Sequence, residues 1–207
     1  MREYQGYHKL PERIRVVGCT AHARRKFDEA LTALPKEQQQ TSKAAEALCY
    51  FAKLFQLEQS FAELKPEERY TKRLEQAKPV LDALLAWAND LIPRTAPKSA
   101  LGKALHYLKE QWPYLVRYLE DGRLELSNNR AERSIKPFVM GRKGWLFSNT
   151  PAGAVIYSLI ETAKENAPDP YRYLLWVLES APAMALEGDA WAGMLTPANA
   201  PETYKIP

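Results

Sequence analysis

The 207-residue sequence has few cysteines, few glycines and no long hydrophobic run, and each shortage excludes a class of protein. Its two cysteines, Cys19 and Cys49, form neither a disulfide framework nor a paired zinc signature, so they indicate a reducing interior. No apolar run approaches the roughly 20 residues that a membrane helix needs, and no signal-peptide core follows Met1. There is no Gly-rich phosphate loop. We therefore expect a cytoplasmic protein with no membrane partner.

The composition that is present is that of a globular protein. Hydrophobic residues make up 46% of the chain, which is enough to fill one sizeable core. Lys and Arg together number 29 and Asp and Glu 25, which gives a net charge of +4. A charge of this size favours a polyanionic partner only mildly, so the distribution of the cations matters more than their sum.

The spacing of apolar residues predicts a mostly α-helical fold. The predicted helices cover residues 21–34, about 41–64, 66–91 with a kink at Pro79, and 99–119 with a kink or break at Pro113. The last three form an antiparallel hairpin or bundle of about 80 residues. Three further helices are predicted from Ser127 or Asn128, from about Pro151 and from Asp169-Pro170. Pro137 should end or bend the first of these, and the tail after Ser180 should be weakly ordered.

One short strand is predicted where RIRVVGCT, Arg13 to Thr20, carries β-branched residues and stops at Gly18. RLEL, Arg123 to Leu126, alternates polar and apolar residues and is either an extended approach or a second short strand. A lone strand leaves its backbone N–H and C=O groups unpaired. Either the strand is misread, or the rest of its sheet lies outside this chain.

A single glutamate lies among cations in SNNRAERSIKPFVMGRKGWLFSNT, Ser127 to Thr150. If this stretch is helical, Asn128 and Glu132 share one face, and an adjacent face carries Asn129, Arg133 and Lys136. A carboxylate surrounded by cations such as Arg130 stays ionised, and an ionised oxygen ligand suits Mg²⁺. The alternative is a surface glutamate in ordinary salt bridges, which spacing alone favours.

Two further clusters carry cations that could contact nucleic acid. In GRKGWLF, Arg142 and Lys143 alternate with rings such as Trp145, a mixture that neutralises phosphates and stacks on bases, although the rings could equally lie in the core. The second cluster is Arg24, Arg25 and Lys26. Three adjacent cations point in different directions around a helix, so this signal is weak by itself.

Next to the second cluster, Cys19 and His22 have the spacing of half a zinc site. Because the remaining zinc ligands would have to come from residues scattered along the sequence, a structural role is favoured for both side chains. In that role the thiol is buried and the imidazole is hydrogen-bonded at the start of the helix.

Four sequence blocks together resemble a known family. They are YQGYHKL (Tyr4 to Leu10), GCTAHARRKF (Gly18 to Phe27), NNRAERSIKPFVMGRKGWLF (Asn128 to Phe147) and YSLIETAKENAPDPYRYLLWVL (Tyr157 to Leu178). In wording and order they resemble the TnpC-type transposases of the IS66 insertion-sequence family. The resemblance covers both ends of the chain well and the helical middle poorly.

The resemblance implies a DDE transposase, an enzyme in which two Asp and one Glu hold two Mg²⁺ ions on a ribonuclease-H-like fold. Glu132, in the motif N-N-x-x-E-R, would be that glutamate and a metal ligand, and Glu161 is the second choice. Asn128, Asn129, Cys19 and His22 would be family motif residues. The family usually has D-G-Y-x-x-Y near Tyr4, where this chain has Arg2 in place of the Asp. Two of the three metal-holding carboxylates are therefore missing.

The resemblance also implies four regions. Residues 1–36 would end a ribonuclease-H-like sheet and begin the following helix, 37–121 would be a helical insertion, 122–180 would hold the Glu-bearing and C-terminal helices, and 181–207 would be a tail. We expect the C-terminal part of a transposase from a truncated or split reading frame, inactive alone, with transposon-end DNA and other transposition proteins as partners. The alternative is a non-catalytic helical module that binds DNA or an intact transposase.

Overall fold

The computed structural model describes residues 14–141, 151–166, 168–185 and 192–204. These residues are mostly helical, and they separate into two compact units, Met1–Asn128 and Asn129–Pro207. No helix among them is long and apolar enough to cross a membrane. The predicted mostly α-helical class is therefore confirmed.

The first unit contains the predicted helices in the predicted order. Its α-helices are α1 (Thr20–Thr32), α2 (Lys36–Gln39), α3 (Lys43–Ser60), α4 (Pro66–Lys72), α5 (Lys78–Leu91) and α6 (Ala100–Leu115). The predicted cap Ser99 accepts a hydrogen bond from the N–H of Gly102 at 3.0 Å, which satisfies one donor of the first turn of α6. A 3₁₀ segment, Val116–Glu120, follows α6.

The predicted interruption near Pro79 takes the form of a π-helical segment, Arg73–Ala77, between α4 and α5. There the N–H of Lys78 donates to the carbonyl of Arg73, five residues back instead of four. Proline lacks an N–H, and its ring clashes with the carbonyl four residues earlier, so the turn before it must widen. The chain thus keeps one helical path through Pro79.

The core of the first unit joins α1 to the helices that follow it. The ring of Phe27 in α1 is fully buried and lies 5.6 Å from that of Phe51 in α3 and 6.2 Å from that of Trp87 in α5. Leu105 and Leu108 of α6 complete this cluster. Hence α1 shares one core with the helices of the predicted insertion, and the expected division after residue 36 does not separate two cores.

The predicted strand at Arg13–Thr20 does not form: Arg13 lies outside the described residues, and residues 15–19 have no regular structure. The N–H of Gly18 donates to the carbonyl of Tyr114 at 2.9 Å, and that of Thr20 donates to Leu126 at 3.1 Å. With no strand edge among the described residues, these backbone groups are satisfied by the end of α6 and by the chain that follows it. RLEL is not a strand either.

The second unit is formed by α7 (Asn129–Gly141), α8 (Pro151–Glu165) and α9 (Pro170–Met184). Pro137 does not end α7, which continues to Gly141. The helix predicted to open at Asp169-Pro170 is α9, and Asp169 caps it, because its carboxylate accepts the N–H of Arg172 at 2.9 Å.

The second unit has a small core of Ala163, Tyr173 and Ala200. The segment expected to be weakly ordered contributes to it. Leu195 and Ala200 are buried, and the hydroxyl of Tyr173 donates to the carbonyl of Leu195 at 2.8 Å. Residues 192–204 are therefore packed against α9, contrary to the expectation from their Ala- and Pro-rich composition.

Candidate functional site

Glu132 lies in the first turn of α7, where a negative side chain interacts favourably with the helix dipole. Among the side chains of α7 that the structure describes, Glu132 and Ser134 are half-buried and the others are exposed. The predicted Glu-bearing helix therefore exists, and Glu132 is one of the few positions on it that neighbouring atoms shield from solvent.

Glu165, near the end of α8, connects that helix to α7. One of its carboxylate oxygens pairs with Nε of Arg130, and the other accepts a hydrogen bond from the hydroxyl of Ser134 at 2.8 Å. The bonds from Arg130 and from Ser134 lower the pKa of Glu165 below its usual value. Both oxygens of an ionised carboxylate are thus bonded to α7.

A cleft of about 430 Å³ lies between α7 and α8 within the second unit. Its lining residues are Ala131, Ser134, Ile135, Ala154, Tyr157, Ser158, Glu161, Thr162 and Glu165. Glu161, the second choice for the metal ligand, lines this cleft. Its side chain is 13% exposed, and one of its carboxylate oxygens forms an ion pair with Nζ of Lys164 at 2.7 Å. Glu132 is not among the lining residues, so the two glutamates do not share this cleft.

The cations of the Glu132 stretch have different surroundings. Arg133 and Lys136 are exposed on α7, where a polyanion could reach them, whereas Arg130 is paired with Glu165. The predicted DNA contacts Arg142, Lys143 and Trp145 lie outside the described residues. On this helix, Arg133 and Lys136 are thus the described cations most open to phosphate.

The second basic cluster lies on α1 in the first unit. The guanidinium of Arg24 lies over the ring of Phe55, 5.7 Å from its centroid, and Lys26 pairs with Glu29 at 2.9 Å. Arg25 is exposed. Since two of the three side chains also contact neighbours within the first unit, part of this cluster serves the local surface of α1.

The C-x-x-H residues lie at the start of α1. Cys19 is buried at the N-cap position, and its sulfur accepts the N–H of Asn128 at 3.4 Å. His22 is half-buried in the first turn. This burial agrees with the structural role favoured for the thiol. Asn128 ends the first unit and Asn129 begins the second.

The donors needed for a metal site do not converge in the part of the chain that the structure describes. There, no group of three or more His, Cys, Asp or Glu side chains is arranged to hold an ion. Glu132 supplies one oxygen donor of the type that Mg²⁺ prefers, and a productive site needs several. These residues alone therefore do not fit a pair of magnesium ions.

Sequence reasoning missed the connection made by Glu165. The spacing of Arg130 and Ser134, and of Glu161 and Glu165, places each pair one turn apart on its own helix. The sequence therefore predicts that each pair shares one helix face, but nothing in the spacing shows that these two faces meet. The contact is a property of how α7 packs against α8.

Comparison with known proteins identifies the class and then the family. A family model described as transposase IS66 family matches residues 3–156, and one described as the IS66 C-terminal element matches residues 158–189. The class is thus that of transposases. The chain belongs to the IS66 family.

The most similar relatives include two proteins of Sinorhizobium fredii (strain NBRC 101917 / NGR234). Uncharacterized protein y4jD is 36% identical over 172 residues, which are 80% of this chain and 32% of that protein. Uncharacterized protein y4hP is 32% identical over 172 residues, or 77% of this chain and 31% of that protein. The chain therefore spans about a third of the length of these relatives. No solved structure matches it.

Proposed function

We propose that the chain supplies the Glu-bearing C-terminal part of a DDE transposase, which cuts and joins DNA at the ends of an insertion sequence. The family match, with Glu132 in the motif N-N-x-x-E-R, is the observation that carries this function. Glu132 is one of two half-buried side chains among those described on a mostly exposed helix, which agrees with a side chain held for a task.

In the complete enzyme Glu132 would be one of three carboxylates that hold Mg²⁺. Two such ions stabilise the attacking and leaving oxygens of an in-line displacement at phosphorus. The described residues do not form this site alone, so the two aspartates would come from other parts of the family's protein. This chain by itself would then bind DNA without cutting it.

The apolar surface of the second unit agrees with packing against a further part of the complete protein, which in this proposal is a ribonuclease-H-like sheet. Ile135, Val139 and Met140 of α7, and Val155 and Ile156 of α8, are each more than half exposed. Large apolar side chains grouped on neighbouring helices usually mark a surface that packs against something else. The predicted regions 1–36, 37–121, 122–180 and 181–207 belong to this proposal, except that residues 15–19 form no strand in this chain and the sheet would come from other parts of the family's protein.

The exposed cations Arg133 and Lys136 would contact phosphates close to Glu132, and Arg25 would extend the basic surface of the first unit. Neutralising phosphates with Lys and Arg releases counterions, so affinity falls with salt. Transposon-end DNA is the expected partner. Other transposition proteins are a further expected partner.

The experiment begins with the DNA upstream of the Met1 codon, translated in all three frames. Two aspartate codons at strand ends, one followed by Gly-Tyr, would define the complete enzyme. That protein should cleave transposon-end DNA only with Mg²⁺, and Glu132→Gln should abolish cleavage while DNA binding remains. Glu179→Gln, at an exposed position of α9, is the matched control. Full cleavage by Glu132→Gln would refute the assignment.

The second candidate is a non-catalytic module that binds DNA or an intact transposase, and it is favoured by the lack of a cluster of metal donors among the residues that the structure describes. It predicts that the logarithm of the binding constant falls linearly with the logarithm of salt concentration and that Mg²⁺ has no specific effect. Binding that does not respond to salt would exclude this candidate.

A further inference from the structure

We propose that Glu165 is a positioning residue for Glu132, because it fixes α7 against α8 through bonds to two residues of α7 that lie one turn apart. This inference rests on the role proposed above for Glu132. It concerns how the helix is held, and it adds a residue that the family motif of Glu132 does not contain.

Apolar packing does little to hold α7. None of its described side chains is buried, and the core cluster of the second unit draws its residues from α8, α9 and the segment around Ala200. Between α7 and α8 lies the open cleft of about 430 Å³ in place of close packing. A helix attached in this way can rotate about its axis unless polar contacts prevent it.

The carboxylate of Glu165 supplies such contacts at two points. One oxygen pairs with Arg130 and the other accepts the hydroxyl of Ser134 at 2.8 Å. A single bond would leave α7 free to pivot, whereas two bonds one turn apart restrict both rotation and sliding. The side chains of Arg130 and Glu165 are 55% and 36% exposed, so each bond is as weak as a surface contact, and the restraint on α7 comes from having two points of attachment.

Glu132 lies between the two anchoring residues in sequence, two positions from each. With 3.6 residues per turn, its side chain lies about 200° around the helix axis from either anchor. Any rotation of α7 that breaks the bonds to Glu165 therefore swings Glu132 by the same angle. Displacing a reacting group by about 1 Å can cost on the order of 100-fold in rate.

Glu165 is an unsuitable metal ligand for the same reason that it is a good anchor. Both of its oxygens are bonded to α7, and the charge of Arg130 already compensates its own. A metal ion would have to displace those bonds. Glu165 thus acts through α7.

The first test measures hydrogen exchange in this chain without metal or DNA. Glu165→Ala should speed amide exchange along α7 and leave α9 unchanged, and Ser134→Ala should produce a smaller change in the same direction. Glu179→Ala, at an exposed site on α9, is the control and should alter neither helix. Unchanged exchange in α7 of Glu165→Ala would overturn the positioning role.

The second test uses the complete enzyme at saturating DNA. Glu165→Ala should lower the cleavage rate by about 10- to 100-fold while its affinity for DNA is no weaker, because the change removes a negative charge and no cation, and Ser134→Ala should lower the rate less. If Glu132→Gln is inactive while both of these variants cleave normally, the positioning role fails and the proposed function survives. If Glu132→Gln remains active, the proposed function itself fails. Loss of activity in Glu165→Ala alone, with normal Ser134→Ala and normal exchange, would assign Glu165 a direct role and overturn positioning.

Discussion

The guanidinium of Arg73 is buried in the first unit and bonded to the carboxylate of Glu58 through two nitrogens, Nε at 2.9 Å and Nη2 at 2.6 Å. Its remaining N–H groups donate to the carbonyls of Tyr118, Asp121 and Leu124 at 2.8–3.0 Å. The planar, five-donor geometry of arginine makes this set of bonds possible. One side chain in the π-helical segment thus holds the chain that leads towards α7.

Arg73→Leu should strongly destabilise the first unit. It leaves Glu58 without its partner and three carbonyls without a donor, and breaking a buried ion pair costs about 3–5 kcal/mol. Urea unfolding, followed by a probe in the first unit, measures the change in that unit's midpoint. Arg94→Ala is the control, because Arg94 is exposed and pairs with Asp90 in a surface contact worth about 0–1 kcal/mol. Equal midpoints for the two variants would contradict the structural role of Arg73.

Gly122→Ala should also destabilise the first unit. A Cβ atom at Gly122 would lie 1.8 Å from the carbonyl oxygen of Pro66, so the backbone would have to move. Overpacking typically costs about 1–3 kcal/mol, and rigid backbone cannot yield as a side chain would. A Cβ atom at Gly193 would have nothing within 4 Å, so Gly193→Ala should leave the thermal midpoint unchanged. A normal midpoint for Gly122→Ala would refute this close contact.

The carboxylate of Asp121 should titrate unusually low. Hydrogen bonds from the side chain and backbone of Arg123 lower its pKa from 3.8 to about 2. Because the pKa of Asp121 is lower in the folded state than in the unfolded state, its interaction with Arg123 contributes fully to the folding stability above pH 3.8. That contribution is lost as the pH falls towards about 2. Carboxyl-carbon NMR titration should show this pKa, and Arg123→Ala should raise it. An unchanged pKa in that variant would contradict the assigned cause.

Tyr173→Phe should loosen the segment 192–204. The buried hydroxyl of Tyr173 donates to the carbonyl of Leu195, and losing that bond costs about 0.5–1.5 kcal/mol and leaves a carbonyl unsatisfied. Limited proteolysis should then cut this segment faster. Tyr171→Phe is the control, since Tyr171 on the same helix is 77% exposed. Equal cleavage of the two variants would show that the bond does not hold the segment.

Local signals predicted the helices well, because helix formation depends on neighbours three and four residues apart and on capping residues. Ser99 caps α6 as expected, a helix opens at Asp169-Pro170 as expected, and the π-helical segment lies just before Pro79, where an interruption was predicted. The prediction of a strand at Arg13–Thr20 was wrong, because β-branched residues form a strand only where a partner strand is present. The backbone N–H groups of Gly18 and Thr20 donate hydrogen bonds to the carbonyls of Tyr114 in α6 and of Leu126 instead.

The sequence by itself determined the helical class, most helix boundaries, the family motif around Glu132 and the identity of its neighbouring cations. Only the tertiary structure decided that α1 shares its core with the later helices, that Arg73 reaches three distant carbonyls, and that Glu165 bonds to Arg130 and Ser134. The physical reason is the distance along the sequence over which each effect acts: helix propensity and capping act within about one helical turn. Contacts such as that between Arg130 and Glu165 depend on which faces of separate helices meet, and no local spacing specifies that choice.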